Sequence, residues 1–366
     1  MRCTKRPLPC CPTPCGACPR PCPPAHAGRG PRPTPPPLLR PHLLTLLLPA
    51  ALLTLLLCAP TGPALAADAT PTPQTSPATT PASPKTEVGT TAAAPIEITD
   101  HTGHVLRLEH PARRIIALYG AYNELLLALG AGDRIVARTA ADAALPELAA
   151  LPAIGTHMRP NAELVLTQKP DLVLQMSGRE EAQVFTENLR SLGLPVLTFQ
   201  MDSFADMLAV TQALGRLTGL EDRAAALVRG WRARLEALRR STAGRAPLRV
   251  FYEVRYPNLL GAGQKGITNE IIACAGGENV LHEAKKLVRC NEETLIAADP
   301  DVYLVQRGPM NPDPEPPARR PHFAGLRAVR EGRVLLVDEA RYARPGPRAV
   351  DAAEELAHWL HAAPRP

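Results

Sequence analysis

Beyond residue 95, short runs of β-branched residues alternate with longer stretches whose apolar residues recur at helical spacing. This alternation is typical of α/β layering, in which a mainly parallel sheet is flanked by helices. The predicted strands are residues 114–118, 134–138, 171–175, 195–199, 248–252, 301–305 and 333–337. The predicted helices are residues 122–129, 161–168, 180–192 and 204–218, and the first three end at a glycine or before a proline.

One stretch interrupts this alternation. Residues 221–240, EDRAAALVRGWRARLEALRR, read as one helix of about 30 Å at 1.5 Å per residue, with arginines between its apolar positions. It could be an ordinary surface helix, but strands stop before it and restart after it. We therefore predict an N-terminal α/β lobe over 96–220, a connecting helix over 221–243 and a C-terminal α/β lobe over 244–366.

The front of the chain has a different character. Residues 43–58 form an apolar run that is short for a membrane span and is broken by Pro49, with Arg40 before it and Ala64-Leu65-Ala66 after it. This pattern predicts a leader with a secretory signal peptide over 1–66. The Pro/Thr/Ala-rich residues 67–95 then predict a disordered tether. Lipid attachment at Cys58 is an alternative, although Leu57 is bulky for such a site.

Composition and charge support this division. Of the 42 prolines, 17 lie in residues 1–66, and that leader carries seven basic residues and no acidic one. The net charge of +6 therefore comes from the leader, and the rest of the chain is slightly negative, so nucleic-acid binding is not indicated. Only Cys274 and Cys290 follow the leader. In an oxidising compartment they predict a disulfide, with buried free thiols as the alternative.

Candidate ligand contacts follow the predicted strands, because open parallel sheets bind ligands beyond the carboxyl ends of their strands. Arginines there supply planar forks for carboxylate or phosphate, and tyrosines supply flat apolar area with a hydroxyl. Such a cleft suits a large, partly anionic, partly planar chelate. The candidates are Tyr119, Tyr122, His157, Met158, Arg159, Ser177, Arg179, Arg255, Tyr256, Arg307, Tyr342 and Arg344.

His157 and Met158 have two interpretations. Imidazole and thioether can bind borderline or soft metals and can be axial ligands of haem iron. Equally, both side chains could pack on their neighbours. A receptor for a bare metal ion needs three or four protein ligands, and the cleft loops offer only His157, so a metal complex is favoured over a bare ion.

Several segments together resemble the helical-backbone periplasmic binding proteins that serve ATP-driven importers of vitamin B12, ferric siderophores and haem. They are RIIALYGAYNELLLALGAGDRIV at 114–136, Ile154-Gly155, Asn161-Ala162-Glu163, Lys169-Pro170-Asp171, Asn269-Glu270, Gly276-Gly277-Glu278-Asn279 and Asp299-Pro300-Asp301. The resemblance covers residues 96–364. It implies two α/β lobes joined by a rigid helix and a metal chelate as transported ligand, without a resident cofactor. It also implies a periplasmic location, and we expect a monomer that docks on an ABC permease with its ATPase.

The resemblance also assigns docking residues. In the family, one exposed glutamate per lobe meets an arginine of the permease. Glu124 in Tyr122-Asn123-Glu124 and Glu270 in Thr268-Asn269-Glu270 match those positions. A carboxylate in the first turn of a helix is also stabilised by the helix dipole, so both could be purely structural.

Two other function classes have some support in the sequence. Residues 261–266, GAGQKG, match the dinucleotide fingerprint, but a return strand with an acidic ribose partner is not evident. We therefore do not expect an enzyme. A ligand-sensing receptor for a membrane signalling partner would share the same fold and cleft and stays an alternative.

Overall fold

The protein is described by a computed structural model over residues 94–178 and 180–362. The predicted leader with Cys58, the predicted tether up to residue 93, and Arg179 lie outside these residues. Within the two described ranges, no helix is both long and apolar enough to cross a bilayer.

The N-terminal half contains a hairpin and a parallel sheet. Strands β1 (Ile96–Thr99) and β2 (Val105–Leu108) pair antiparallel. The sheet has the order β4-β3-β5-β6 with all pairs parallel, and its strands are β3 (Ile115–Ala117), β4 (Ile135–Ala137), β5 (Leu172–Met176) and β6 (Val196–Phe199). Its helices are α1 (Gly120–Leu129), α2 (Ala162–Thr167), α3 (Glu180–Ser191) and α4 (Phe204–Thr218).

Helix α5 (Glu221–Thr242) follows, and the C-terminal half is built on a mixed sheet. Its strands are β7 (Leu248–Arg255), β8 (Leu260–Ala262), β9 (Gly277–Asn279), β10 (Leu287–Arg289), β11 (Val302–Arg307) and β12 (Val334–Asp338). The order is β10-β8-β7-β11-β12, with β9 also on β7, and only the β10–β8 and β8–β7 pairs are antiparallel. Its helices are α6 (Ile267–Cys274), α7 (Glu292–Ala298), α8 (Arg327–Arg330), α9 (Glu339–Tyr342) and α10 (Pro347–His361).

The predicted fold class is confirmed: two α/β lobes with mainly parallel sheets are joined by one long helix. Each of the seven predicted strands overlaps an observed one, and the predicted 204–218 helix is α4. Four helices precede α5 in the described residues, as predicted. The second sheet also gains the short strands β8, β9 and β10, which the sequence pattern did not indicate.

One apolar core connects the two sheets. Side chains of β3 alternate between its two faces, so Ile115 and Ala117 enter this shared core while Ile116 packs in a separate outer cluster. The second sheet behaves in the same way, with Tyr252 in the shared core and Phe251 in another outer cluster. Helix α5 completes the shared core with its buried face, which is Trp231, Leu235 and Leu238. The lobes are therefore joined by packing as well as by the chain.

Helix α10 is a second brace. It contributes Val350, Leu356 and Leu360 to the shared core. It is also tied to α5 by Arg234, whose guanidinium contacts the carboxylates of Asp351 and Glu354, each at 2.6 Å. The side chains of these ion pairs are about half exposed, so they contribute little to stability. The attachment of α10 therefore depends mainly on the apolar contacts beneath them.

An eleven-residue structural motif occurs once in each lobe, at 161–171 and 291–301. In each copy an asparagine caps a short helix: Asn161 accepts from the Leu164 N–H at 3.1 Å, and Asn291 from the Thr294 N–H at 2.7 Å. Each helix is followed by a residue of positive φ, then a proline and an aspartate. The aspartate accepts a backbone N–H at the start of the first strand of its sheet, from Arg114 just before β3 or from Arg249 in β7. The corresponding pairs are Lys169 and Asp299, Pro170 and Pro300, and Asp171 and Asp301. The two lobes thus start one of their parallel strands in the same way.

The predicted disulfide is absent, because Cys274 and Cys290 are both free thiols. Cys274 ends α6 inside the shared core, whereas Cys290 packs on the outer cluster that contains Phe251. These clusters lie on opposite faces of the second sheet. Burial raises the pKa of both thiols, so neither is activated as a thiolate.

The shared core leads to a stability prediction. We expect Leu235→Ala to lower the free energy of unfolding by about 2–5 kcal/mol, because the cavity would open where α5 packs on the core. Since both lobes depend on that core, urea unfolding should remain a single transition. The neighbouring exposed change Glu236→Ala is the control and should shift stability by under about 0.5 kcal/mol. Two separate transitions for the two lobes would contradict the shared core.

Candidate functional site

A cleft of about 550 Å³ lies between the two lobes. The N-terminal lobe contributes residues that follow β3, β4, β5 and β6, and the C-terminal lobe contributes residues at or after the ends of β7, β11 and β12. Parallel strands end at the same edge of a sheet, so both sheets present their carboxyl edges to this space. The volume is in the usual range for a small-molecule site.

Five of the twelve ligand residues predicted from the sequence line the cleft. They are Tyr119, His157, Met158, Ser177 and Arg344. Four of them come from the N-terminal lobe and only Arg344 from the C-terminal lobe. The structure therefore brings together side chains that are more than 200 residues apart in the chain.

Six others do not line it. Tyr122 is fully buried, and its hydroxyl donates to the Phe199 carbonyl at 2.7 Å. Tyr342 is also buried behind the wall, while Arg159 and Arg307 are exposed away from the cleft. The other two of these six are Arg255 and Tyr256, at the end of β7. The twelfth candidate, Arg179, lies outside the described residues. The six described residues lie at or after strand ends and yet do not line the cleft, because position in the sequence does not reveal which way a side chain points.

Methionine is the main feature of the wall that the sequence analysis missed. Besides Met158, the cleft is lined by Met176, Met201 and Met310. Thioether side chains are flexible and polarisable, so they adapt to irregular apolar surfaces. Met176 ends β5 and Met201 follows β6, so the rule that selected Tyr119 would have found them had it included apolar residues.

Charged groups lie at the cleft on both lobes. Lys265, Lys286 and Arg344 are the cations, and Asp202 and Glu339 are the acids. Lys286 forms an ion pair with Asp202 across the cleft, and the Arg344 Nε lies 3.7 Å from a Glu339 carboxylate oxygen. Both lysines lie next to the short strands β8 and β10, which explains why the sequence pattern did not indicate them.

Tyr119 is held from behind by aromatic packing. Its ring meets that of Tyr122 edge to face, with centroids 5.7 Å apart, and Tyr122 in turn meets Phe199. Burial raises the pKa of Tyr119 to about 12, against the lowering effect of Arg344. Tyr119 therefore offers the cleft a neutral phenol rather than a phenolate at ordinary pH.

A fully buried ion pair supports the C-terminal wall. Arg320 binds both carboxylate oxygens of Glu253, with one N–O distance of 2.9 Å, and its guanidinium stacks 4.1 Å from the centre of the Tyr256 ring. Asn311 donates to the same Glu253 at 3.3 Å and to the carbonyl of Gln306 at 3.1 Å. Gln306 lines the cleft, as does the neighbouring 309–310 segment. The pair thus fixes the part of the wall that carries Met310.

Glu124 and Glu270 are placed differently from the sequence prediction. Glu124 is 7% exposed and forms an ion pair with Arg348 of α10. Glu270 is half-buried, and its carboxylate accepts the Phe204 N–H at 2.7 Å, at the first turn of α4. Both carboxylates therefore join the two lobes. The predicted docking role required outward-facing groups, so this assignment is wrong in its geometry.

Comparison with known proteins agrees with this architecture. The family model "Periplasmic binding protein" matches residues 115–340. The chain therefore belongs to the periplasmic binding protein family, as its sequence resemblance predicted. The relatives it matches are substrate-binding transport proteins, and the prediction that the chain is not an enzyme is confirmed on that ground.

Individual relatives are similar over most of their length. An ABC transporter substrate-binding lipoprotein, YvrC of Bacillus subtilis, is 27% identical over 76% of this chain and 88% of its own. The vitamin B12-binding protein of Vibrio cholerae is 25% identical over 71% of this chain and 93% of its own. Among solved structures, the periplasmic haem-binding protein RhuT from Roseiflexus sp. RS-1 has a TM-score of 0.61 and 25% identity, covering 69% of this chain and all of its own.

The buried pair generates the prediction for this site. We expect Arg320→Met to lower the free energy of unfolding by about 3–5 kcal/mol, because Glu253 would be left buried without its counter-charge. The double variant Arg320→Met/Glu253→Met should recover part of that loss in urea unfolding. Arg107→Met, which removes an exposed ion pair with Glu109, is the control and should have little effect. A single variant as stable as wild type would contradict the assigned role of the pair.

Proposed function

We propose that this protein is an extracytoplasmic solute-binding protein that captures a metal chelate in the inter-lobe cleft and delivers it to an ABC permease. The chelate classes are an iron–siderophore, haem or a cobalamin-type compound. The observation that carries the proposal is the cleft itself, formed by the carboxyl edges of both sheets and lined by methionines, Tyr119 and cationic side chains.

The wall chemistry supports a ligand with apolar faces and anionic groups. The four methionines and Tyr119 provide adaptable and flat apolar area. Arg344 provides a planar fork for a carboxylate, and Lys265 and Lys286 provide point charges. Asp202 is in close contact with Lys286 and neutralises part of its charge, whereas Glu339 approaches Arg344 only to 3.7 Å. Arg344 and Lys265 are therefore the first candidates for an anionic substituent.

A chelate is favoured over a bare metal ion. A bare ion needs three or four ligands, and within the described ranges no three His, Cys, Asp or Glu side chains lie close enough to hold one. A chelated metal brings most of its own ligands and needs at most one or two from the protein. His157 or Met158, which both line the cleft, would supply such an axial ligand. The metal is thus cargo, and the protein has no cofactor of its own in this proposal.

Location and partner follow from the relatives. The matched proteins are periplasmic binding proteins or lipoproteins of ABC transporters. With the predicted signal peptide, we propose that the mature chain works outside the cytoplasmic membrane as a monomer. Its partners would be an ABC permease with its ATPase and the chelate.

Permease docking of the kind that the family resemblance implies needs one accessible acidic group in each lobe. The two copies of the eleven-residue motif each contain a glutamate at the same position. Glu163 and Glu293 occupy the third position of the two copies, and both are exposed in the first turn of an asparagine-capped helix. Glu292, beside Glu293, instead accepts from the Tyr256 hydroxyl at 3.4 Å. We therefore propose Glu163 and Glu293, in place of Glu124 and Glu270, as the carboxylates that meet permease arginines.

The ligand proposal predicts a specific binding result. Purified protein is titrated with haemin, cyanocobalamin and ferrioxamine B. It should bind at least one of them, and binding should change the absorption spectrum of that chelate. Arg344→Gln should weaken binding of an anionic chelate about tenfold or more, because a hydrogen bond between charged groups is lost. Arg330→Gln, which is exposed, serves as the control. Binding of none of the three chelates would contradict the proposal.

The docking proposal predicts a separable defect. In vesicles that contain the permease and its ATPase, Glu163→Gln/Glu293→Gln should lose most of the stimulation of ATP hydrolysis while its affinity for the chelate stays unchanged. Removing one member of a buried interfacial charge pair costs about 2–5 kcal/mol. The matched control is Glu147→Gln/Glu331→Gln, which also removes one exposed carboxylate per lobe. Equal stimulation by both double variants would rule the assignment out.

A further inference from the structure

A second, smaller cavity adjoins the cleft. It has a volume of about 70 Å³ and shares the wall residues Met176, Ser177 and Gly178 with the main cleft. Its other walls come from α3, from Thr198 on β6 and from Thr102 in the turn between β1 and β2. The volume is large enough for one small substituent of a ligand and far too small for a whole chelate.

Two hydroxyl groups at this side cavity have no hydrogen-bond partner in the part of the chain that the structure describes. Thr198 is 4% exposed, and within the described residues its Oγ1 atom makes no hydrogen bond, nor does the buried Oγ of Ser177. The backbone of Thr198 is fully used, because its N–H donates to Asp100 at 2.9 Å and its carbonyl accepts from His101 at 3.1 Å. Buried hydroxyls are nearly always hydrogen-bonded, so these two are available to a group that enters the cavity.

The charged side chains that the structure describes around the side cavity are already paired. Arg190 binds the Asp100 carboxylate at 2.8 Å and the Glu187 carboxylate at 2.9 Å, and its Nε and Nη2 also donate to the Val196 carbonyl. An entering carboxylate would find no free cation among these groups and would meet two acids. A neutral group that both donates and accepts hydrogen bonds meets neither obstacle.

We propose that the side cavity is a subsite for a neutral hydrogen-bonding substituent, a carboxamide or a hydroxyl, of the ligand held in the main cleft. This inference rests on the proposed function. The bound substituent would bond to the hydroxyls of Thr198 and Ser177, and Met176 would pack on the part of the ligand that links it to the cleft. The subsite would then distinguish amide-bearing chelates from those whose only polar substituents are carboxylates.

The test compares isosteric variants on defined probes. Thr198→Val removes one hydroxyl at nearly constant volume, and Thr186→Leu fills the side cavity from α3 without touching the main cleft. The control is Thr211→Val, a buried threonine on α4 whose hydroxyl donates to the Met207 carbonyl at 2.7 Å, away from both cavities. Dissociation constants are measured for cyanocobalamin and ferrioxamine B, which carry amides, and for haemin, which carries carboxylates only.

We expect Thr198→Val to weaken binding of an amide-bearing probe about fivefold, Thr186→Leu to weaken it further, and haemin binding to be unchanged in both. Thr211→Val should leave all affinities as in wild type. If wild type binds a probe and Thr198→Val binds every such probe equally well, the side cavity holds solvent only and the inference is overturned. The same holds if Thr211→Val causes the same loss, or if wild type binds haemin alone. If wild type binds none of the probes, the proposed function itself fails, and the subsite fails with it.

Discussion

The burial of α5 against both sheets is the constraint on which the rest of the structure depends. Trp231, Leu235 and Leu238 enter a core that also contains the inner faces of β3 and β7. Because the helix is continuous over 22 residues, it offers no loop dihedrals that could act as a hinge. The distance between the two carboxyl edges is therefore set by packing, and so is the cleft between them.

The contacts between the lobes follow from this arrangement. Once α5 and α10 hold the lobes together, Glu124 can pair with Arg348 and Glu270 can cap α4. Lys286 and Asp202 close one side of the cleft in the same way. The wall combines rigid and adaptable parts: Tyr119 is fixed by Tyr122 behind it, whereas the methionines can adjust to the ligand's shape. Such a site is largely preformed yet tolerant of a ligand of irregular shape.

Much of the architecture could be predicted from the sequence, because parallel strands buried on both faces read as short β-branched runs between periodic helices. The strands β8, β9 and β10 could not, since each contains at most one β-branched residue and two of them contain a glycine. Cleft residues that follow strands with a clear apolar run, such as Tyr119 after β3 and Ser177 after β5, were found for that reason. Lys265 and Lys286 were missed because they flank the short strands.

Two errors have a common cause. A glutamate near the start of a helix reads the same whether it faces solvent or another lobe, so Glu124 and Glu270 could not be distinguished from outward-facing residues by position. Likewise, two cysteines left after a leader suggest a disulfide, but sequence does not show that Cys274 and Cys290 lie on opposite faces of a sheet. The repeated spacing of asparagine, glutamate and proline-aspartate at 161–171 and 291–301 was readable, and it is the signal that would have selected Glu163 and Glu293.

The central claim is that the shared core makes the lobes and their cleft one rigid, preformed receptor. The most direct measurement is the rotation between the two sheets in crystal structures of the free protein and of the protein loaded with a chelate that it binds. We expect a rotation of a few degrees, with α5 continuous and the Glu124–Arg348 pair intact in both states. A rotation of tens of degrees, with α5 broken or its apolar face exposed in the free state, would contradict the account.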